Sequence, residues 1–470
     1  MRASNDSDHF RDECGVFGIV NHPEAANIAY LGLHGLQHRG QESAGIVTAA
    51  DDQLYAYRRL GLVSEIFTPA ALQKLPGHMA IGHVRYSTSG ESSLSNAQPV
   101  VVHCSKGSLA VAHNGNLTNA LKLREEMEIQ GAIFQTTTDT EVLVHQIARS
   151  GTDIEESTRD SLYRARGSYA ILFLSRDRLI CARDPNGIRP LCIGKLDNAV
   201  VVASESVAFD LIGAEFIRDV EPGEMLVIHP DGTIESSRPF PNAHRNCCLF
   251  EFVYFARPDS IIDGVSVYHA RKRMGAILAE EAPVDADMVV SVPDSGTAAA
   301  LGFSERSGIP FELGLIRSHY VGRTFIEPKQ AIRNFGVKLK LNASRVVLDN
   351  RRVVVVDDSL VRGTTSQKII DTIRRAGARE VHLRISSPPI RHSCRYGIDT
   401  PTEAELIANQ MSVEEIARHL GVDSLAYLSI DGLARAVGGD GGFCTACFNG
   451  NYPVQFDDAG MKLQLRFAGL

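Results

Sequence analysis

Short apolar runs rich in β-branched and aromatic residues punctuate the first half of the chain. Residues 15–20, 79–84, 108–112, 169–174 and 199–203 each read as a strand. Two stretches between them, around residues 118–130 and 138–149, read as helices. Strands many and helices few predict a sheet-dominated α+β domain. The polar, proline-containing stretch 239–246 predicts a boundary.

The pattern then changes. An apolar run at 288–292 meets a Pro-Asp-Ser-Gly turn and a helical stretch over 297–307. A second run at 352–356 is followed by a polar loop and a helical stretch over 365–376, which Gly377 stops. A third run spans 381–386. Strand, loop and helix in this alternation predict an α/β domain with a parallel sheet and crossover helices. Thr400-Pro-Thr-Glu403 and Ser412-Val-Glu-Glu415 carry the residues of helix starts.

At 470 residues the chain has room for two or three domains and a large core. Its 44% hydrophobic and 22% charged fractions are those of an ordinary globular protein. Residues 1–13 lack the apolar stretch of a secretory signal, and no apolar run is long enough to span a bilayer. A cytoplasmic protein without membrane attachment is expected. The net charge of −8 argues against bulk attraction to nucleic acid. Locally, Arg317 to Arg345 holds seven Lys or Arg residues against one acid, Glu327. Nine cysteines, an odd number, argue against a disulfide framework in such a compartment.

The sharpest motif is Val353-Val-Val-Val-Asp-Asp-Ser-Leu-Val-Arg-Gly-Thr-Thr-Ser366. An apolar strand ends in two acids, and a loop of glycine and hydroxyl residues leads into a helix. Backbone N–H groups at a helix start bind anions, and Gly363 allows close approach. Asp357 and Asp358 repel phosphate but suit ribose hydroxyls or hydrated Mg²⁺. Acids beside a phosphate cradle therefore predict a phosphorylated sugar. The stretch resembles the signature of type I phosphoribosyltransferases, which bind 5-phosphoribosyl-1-pyrophosphate (PRPP). That resemblance implies ribose contacts from Asp357 and Asp358 and phosphate contacts from Ser359, Leu360, Val361, Arg362, Gly363, Thr364 and Thr365. It also implies that Ser295, in Val292-Pro-Asp-Ser-Gly296, joins Asp357 and Asp358 on the Mg²⁺ side. The basic stretch is similar to the family's closing loop, with Lys340 meeting pyrophosphate.

Cys14-Gly-Val-Phe-Gly-Ile-Val20 alone would read as a buried cysteine opening a strand. Four further segments change that reading: residues 34–43, Gly82-His-Val-Arg-Tyr-Ser-Thr88, His113-Asn-Gly-Asn116 and Thr138-Asp-Thr-Glu141. Together they resemble the N-terminal-nucleophile glutamine amidotransferases, which implies an αββα sandwich over residues 14–240. The implied nucleophile is Cys14. The implied oxyanion donors are the Asn114 side chain and the Gly115 N–H. Arg85 would clamp the glutamine carboxylate and Asp139 its ammonium, with Arg39 beside the nucleophile. A cysteine using its own α-amine as base must be terminal, so residues 1–13 are expected to be a cleaved propeptide.

Cys444-Thr-Ala-Cys447, with Cys394 and one of Cys247 or Cys248, makes four thiols, which suit zinc or a [4Fe–4S] cluster equally. Cys104, Cys181 and Cys192 read as core. Glutaminase motifs ahead of a PRPP loop are, as a combination, similar to the amidophosphoribosyltransferase family, and in particular to its propeptide-bearing iron–sulfur subgroup. The resemblance implies a [4Fe–4S] cluster on Cys248, Cys394, Cys444 and Cys447, a phosphoribosyltransferase domain over 241–470, Mg²⁺, glutamine and PRPP as substrates, purine nucleotides as inhibitors, and a homotetramer. A non-catalytic PRPP-binding iron–sulfur regulator is the rival reading. The intact catalytic positions count against it.

Overall fold

The computed structural model describes residues 14–86, 93–318, 341–439 and 441–456. The expected propeptide, Lys340 and nearly all of the expected closing loop lie outside the described residues.

Two antiparallel sheets stack face to face in the first half. One runs in the order Glu215–Asp219, Cys192–Leu196, Ala199–Ala203, Gly15–Val20, Met79–Arg85, Ser43–Ala50, Gln53–Leu60. The other runs Ile234–Ser237, Met225–Ile228, Leu179–Arg183, Gly167–Leu174, Gly107–Leu117, Val100–Cys104. Side-chain alternation along each strand builds three cores from these two sheets. In Gly15–Val20, Phe17 and Ile19 pack with the helix Ala25–Gly35, whereas Val16 and Val20 pack between the sheets. In Gly167–Leu174, Ala170, Leu172 and Leu174 meet that inter-sheet core, while Tyr169, Ile171 and Phe173 pack under the helices Ala120–Ile129 and Thr140–Arg149. The layers are helix, sheet, sheet, helix. Gly32 makes the first interface possible, because a Cβ there would fall 2.3 Å from the Phe17 ring.

The second half carries four parallel strands in chain order: Met288–Ser291, Arg352–Asp357, Glu380–Ile385 and Ser424–Tyr427. A strand covered on both faces is apolar throughout. Val354 and Val356 face the helices Val267–Glu281 and Thr297–Ser307, and Val353 and Val355 face Thr364–Arg375. No helix among the described residues is long and apolar enough to cross a membrane.

Three local expectations shift. The strand placed at 108–112 runs on to Leu117, so Asn114 and Gly115 lie within a sheet. Thr400 does not cap a helix: its hydroxyl accepts from the Cys394 N–H at 2.9 Å. The capping box belongs to Thr402 and Glu405 and starts only a single tight turn, Glu403–Glu405. Cys181 and Cys192 are core, but Cys104 ends an edge strand and is half-buried.

Candidate active sites

Register assembles the first site. Gly15 pairs with Val84, which sets Cys14 beside Arg85 and Tyr86 at the end of the neighbouring strand. The Cys14 Sγ lies 3.4 Å from the Tyr86 carbonyl oxygen. The strand Gly107–Leu117 of the second sheet brings His113, Asn114 and Gly115, and the start of the helix Thr140–Arg149 brings Thr138 and Asp139. Cys14, Arg85, Tyr86, Gln98, His113, Gly115, Thr138 and Asp139 line one small recess.

Burial pushes the Cys14 thiol up to about 11, against the opposing pull of the Tyr86 carbonyl contact and Arg85. Burial also pushes Asp139 up, but His113 and hydrogen bonds outweigh it and hold the carboxylate below its ordinary range. Those bonds come from the Leu117 N–H at 2.8 Å and the Thr140 hydroxyl at 3.3 Å. An ionised carboxylate beside a protonated thiol suits a site that grips an ammonium group. Among the described residues, the Asn114 amide nitrogen is buried without a hydrogen-bond partner. Such an orphaned donor costs about 1–3 kcal/mol and marks a place where an incoming oxygen would be welcome. Gly115 has φ +144°, and a Cβ there would fall 2.2 Å from the Ser168 carbonyl oxygen. Only glycine fits.

Arg85 is buried, with a guanidinium nitrogen 3.8 Å from Glu42. Arg39 meets the nucleophile's backbone: its Nε donates to the Cys14 carbonyl at 3.1 Å. The rest of its guanidinium pairs with Glu205 and makes two bonds to Glu251, at 3.1 and 2.7 Å. Glu251 also accepts from Arg189 at 3.1 Å. Burial opposes ionisation of Glu205, yet His38 and Arg39 hold its carboxyl well below the carboxylate range.

The second site lies at the carboxyl ends of the parallel strands, where open α/β sheets take ligands. Asp357 ends the strand Arg352–Asp357, and both it and Asp358 are buried. The Asp358 carboxylate accepts from the Ser295 and Ser359 hydroxyls, each at 2.6 Å. It therefore ties together the two loops that the sequence singled out. Gly296 lets them meet, since a Cβ there would fall 2.5 Å from the Val356 carbonyl oxygen. Gly363, at φ +83°, leads into the helix Thr364–Arg375. Leu360 and Val361 bury their side chains in two different cores and pin the loop, so they offer a ligand only backbone. Arg362 pairs with Glu405 at 3.0 Å. Thr364 is exposed and Thr365 half-buried.

The cysteines gather at a third place. Cys247–Cys248 pairs in parallel with Phe443–Cys444, placing Cys248 opposite Cys444. The Cys447 carbonyl accepts from the Arg391 and His392 N–H groups at 2.9 and 3.0 Å, which draws in the segment of Cys394. Burial pushes the Cys444 thiol up to about 12 and Cys447 well above its usual value, with Cys248, Cys444 and Cys394 close enough to raise Cys447 further. The Cys247 thiol instead lies near Asp263 and Arg183, and burial together with the Asp263 charge pushes it well above its usual value. Among the described residues no three His, Cys, Asp or Glu side chains converge on a single ion.

Gln98, Glu42, His113, Glu205, Glu251 and Arg189 carried no assignment from the sequence. The first three lie within reach of quoted motifs. Glu205 and Glu251 are partners of Arg39, and Arg189 shares Glu251 with it; only the folded chain brings them near.

Comparison with known proteins agrees with this layout. Residues 83–210 match a family described as a glutamine amidotransferase domain. An amidophosphoribosyltransferase of Bacillus subtilis is 52% identical over 94% of this chain and 94% of its own length. One from Rhizobium etli is 53% identical over 96% and 94%. The solved structure of the glutamine PRPP amidotransferase from B. subtilis, complexed with ADP and GMP, superposes with a TM-score of 0.90 over 94% of this chain and 98% of that one, at 52% identity. Sharing half its residues with these enzymes over nearly its whole length, and built on the same fold, the chain belongs to the amidophosphoribosyltransferase family.

Proposed function

We propose that this chain converts glutamine, PRPP and water to 5-phosphoribosylamine, glutamate and pyrophosphate, the first committed step of purine synthesis. The observation that carries the reading is the presence of two different candidate sites in one chain. One is a recess around a buried cysteine with an orphaned amide donor. The other is an acid-and-hydroxyl loop pair at the edge of a parallel sheet.

In the first site, the Cys14 thiol attacks the glutamine amide carbonyl. Arg85 and Asp139 hold the substrate's carboxylate and ammonium, and Asn114 and Gly115 take the developing oxyanion. The base is the α-amine of Cys14, whose unperturbed pKa near ~8 suits proton transfer at neutrality. That role requires cleavage between Glu13 and Cys14. In the second site, Asp357 and Asp358 hold the ribose hydroxyls, and residues 359–365 hold the 5′-phosphate. Asp358 and Ser295, already joined by a hydrogen bond, suit the inner or hydrated shell of Mg²⁺. The ion would supply charge neutralisation at departing pyrophosphate, aided by Lys340.

Cys248, Cys394, Cys444 and Cys447 fit a structural [4Fe–4S] cluster. Cys248 and Cys444 face each other in register, and Cys394 and Cys447 are brought to them by backbone bonds, whereas Cys247 lies near Asp263 and Arg183. We place the domain boundary near residue 240, after the last strand of the double sheet, Ile234–Ser237. Purine nucleotides are the proposed feedback inhibitors, supported by the ADP and GMP complex of the B. subtilis enzyme. A cytoplasmic homotetramer completes the reading.

The test is a pair of assays on Asp357→Asn and Asp358→Asn. Both should lose PRPP-dependent synthesis sharply, while hydrolysis of glutamine in the absence of PRPP persists as the control. Full synthesis by both variants would overturn the ribose assignment. Intact mass and iron analysis of the purified protein test the leader and the cluster separately: a chain beginning at Cys14 and holding iron is expected, and zinc without iron would refute the cluster.

A further inference from the structure

The oxyanion donors do not stand on their own domain alone. Asn114 and Gly115 lie near the end of the strand Gly107–Leu117, which pairs with Gly167–Leu174 so that Gly115 faces Tyr169 and Asn116 faces Ser168. From the other half of the chain, residues 395–397 press onto this corner. The Asn116 side-chain amide donates to the Arg395 carbonyl at 2.9 Å. The Ser168 hydroxyl donates to the Tyr396 carbonyl at 2.8 Å, and its oxygen accepts from the Asn116 N–H at 3.3 Å. Gly397, at φ +108°, packs directly on Gly115: a Cβ on Gly397 would fall 3.0 Å from the Gly115 carbonyl carbon and 3.1 Å from its Cα. Gly115 is thus bounded by the Ser168 carbonyl on one side and Gly397 on the other.

The pressing segment is itself fixed. Tyr396 is buried, and its hydroxyl both donates to the Val454 carbonyl and accepts from the Val454 N–H, each at 2.9 Å. A rigid outer wall with two hydrogen bonds and a glycine-to-glycine contact is an arrangement that sets the position of one peptide group.

We infer that Ser168, Asn116 and Gly397 are positioning residues for the oxyanion site, holding the Gly115 N–H and Asn114 amide where the tetrahedral intermediate needs them. The inference rests on the assignment of Asn114 and Gly115 as the oxyanion donors. It adds that the second domain completes that site mechanically. A donor aimed at the developing charge loses its effect when displaced by a fraction of a bond length, whereas substrate binding through Arg85 and Asp139 does not depend on it.

The experiment uses the full-length enzyme and four variants: Asn114→Ala as reference, then Ser168→Ala, Asn116→Ala and Gly397→Ala. The probe is an aldehyde analogue of glutamine. The Cys14 thiol adds across its C=O, the sulfur bonding carbon and the oxygen taking the thiol proton, so the adduct tests the oxyanion site without turnover. For Gly397→Ala, kcat for glutamine hydrolysis should fall roughly tenfold to a hundredfold, as for a small misplacement of a catalytic group. KM for glutamine should stay within about twofold, the signature of an interaction made in the transition state. Aldehyde affinity should fall in parallel with kcat, and inhibition by glutamate should not change. Ser168→Ala and Asn116→Ala should move the same way by smaller factors. Unchanged kcat in all three, or a fall matched by equal loss of glutamate binding, overturns the inference while leaving the donor assignment intact. An unaffected Asn114→Ala sinks the donor assignment itself.

Discussion

Burial leaves Cys14 a thiol at neutral pH, since it lifts the group to about 11. The uncleaved chain therefore holds Cys14 as a thiol. This yields a direct expectation for the chain that still carries residues 1–13. At pH 8 a thiol with that pKa is about one part in a thousand thiolate, so alkylation of Cys14 by iodoacetamide should be slow and should quicken about tenfold per pH unit up to pH ~10. A rate that levels off near pH 8.5, measured by peptide mapping, would show an unperturbed thiol and contradict the burial argument. At this scale the sequence was most legible where short motifs carry chemistry in themselves: Cys14 and Asp139 share one recess, and Asp357 and Asp358 are buried where a parallel strand ends. Arg39 was not legible in the same way. Its partners Glu205 and Glu251, and Arg189 which shares Glu251, lie far along the chain, and no local pattern announces a buried ion cluster.

Between the two halves, the turn Glu251–Phe255 is wound as a π-helix, and Arg271 donates to the Phe252, Tyr254 and Ala256 carbonyls at 2.8, 3.0 and 2.7 Å. Its first residue, Glu251, holds Arg39 and Arg189 in a fully buried cluster. Glu251→Ala should cost about 3–5 kcal/mol, because it removes the buried carboxylate that Arg39 and Arg189 share. Urea unfolding checks this; a loss under 1 kcal/mol would mean that water or rearrangement compensates. The helices Val267–Glu281 and Thr297–Ser307 pack even closer. A Cβ on Gly275 would lie 1.7 Å from the Ala299 carbonyl oxygen, and one on Gly302 1.8 Å from that of Lys272. Gly275→Ala should therefore destabilise by at least ~1–3 kcal/mol through overpacking, despite alanine's better helix propensity. A stabilised variant would refute the contact. The second of these helices was readable to the residue, the first not at all. Its buried positions, 267, 270, 271, 274, 275, 278 and 279, follow helical spacing, but they include Arg271 and Gly275, which blur the apolar stripe. The expected helix start at Thr400 failed for a related reason, since the hydroxyl that looked like a cap serves the Cys394 backbone instead.

The whole molecule joins two chemistries across contacts that no single segment predicts. Arg183 grips Asp263 at 2.7 and 3.2 Å, Arg39 grips Glu251, and Asn116 and Ser168 hold the carbonyls of Arg395 and Tyr396. The two halves and their order could be read from the sequence because each carries its own motifs and its own hydrophobic pattern. Their mutual seating could not, because it depends on pairs separated by as many as 279 positions. The claim that unites both sites is that Cys14 supplies ammonia which the second site consumes. The most direct measurement is pyrophosphate release from PRPP by Cys14→Ala, first with glutamine and then with ammonia. The account predicts no turnover with glutamine and near wild-type turnover with ammonia. Turnover with glutamine, or none with ammonia in a folded protein, would contradict it.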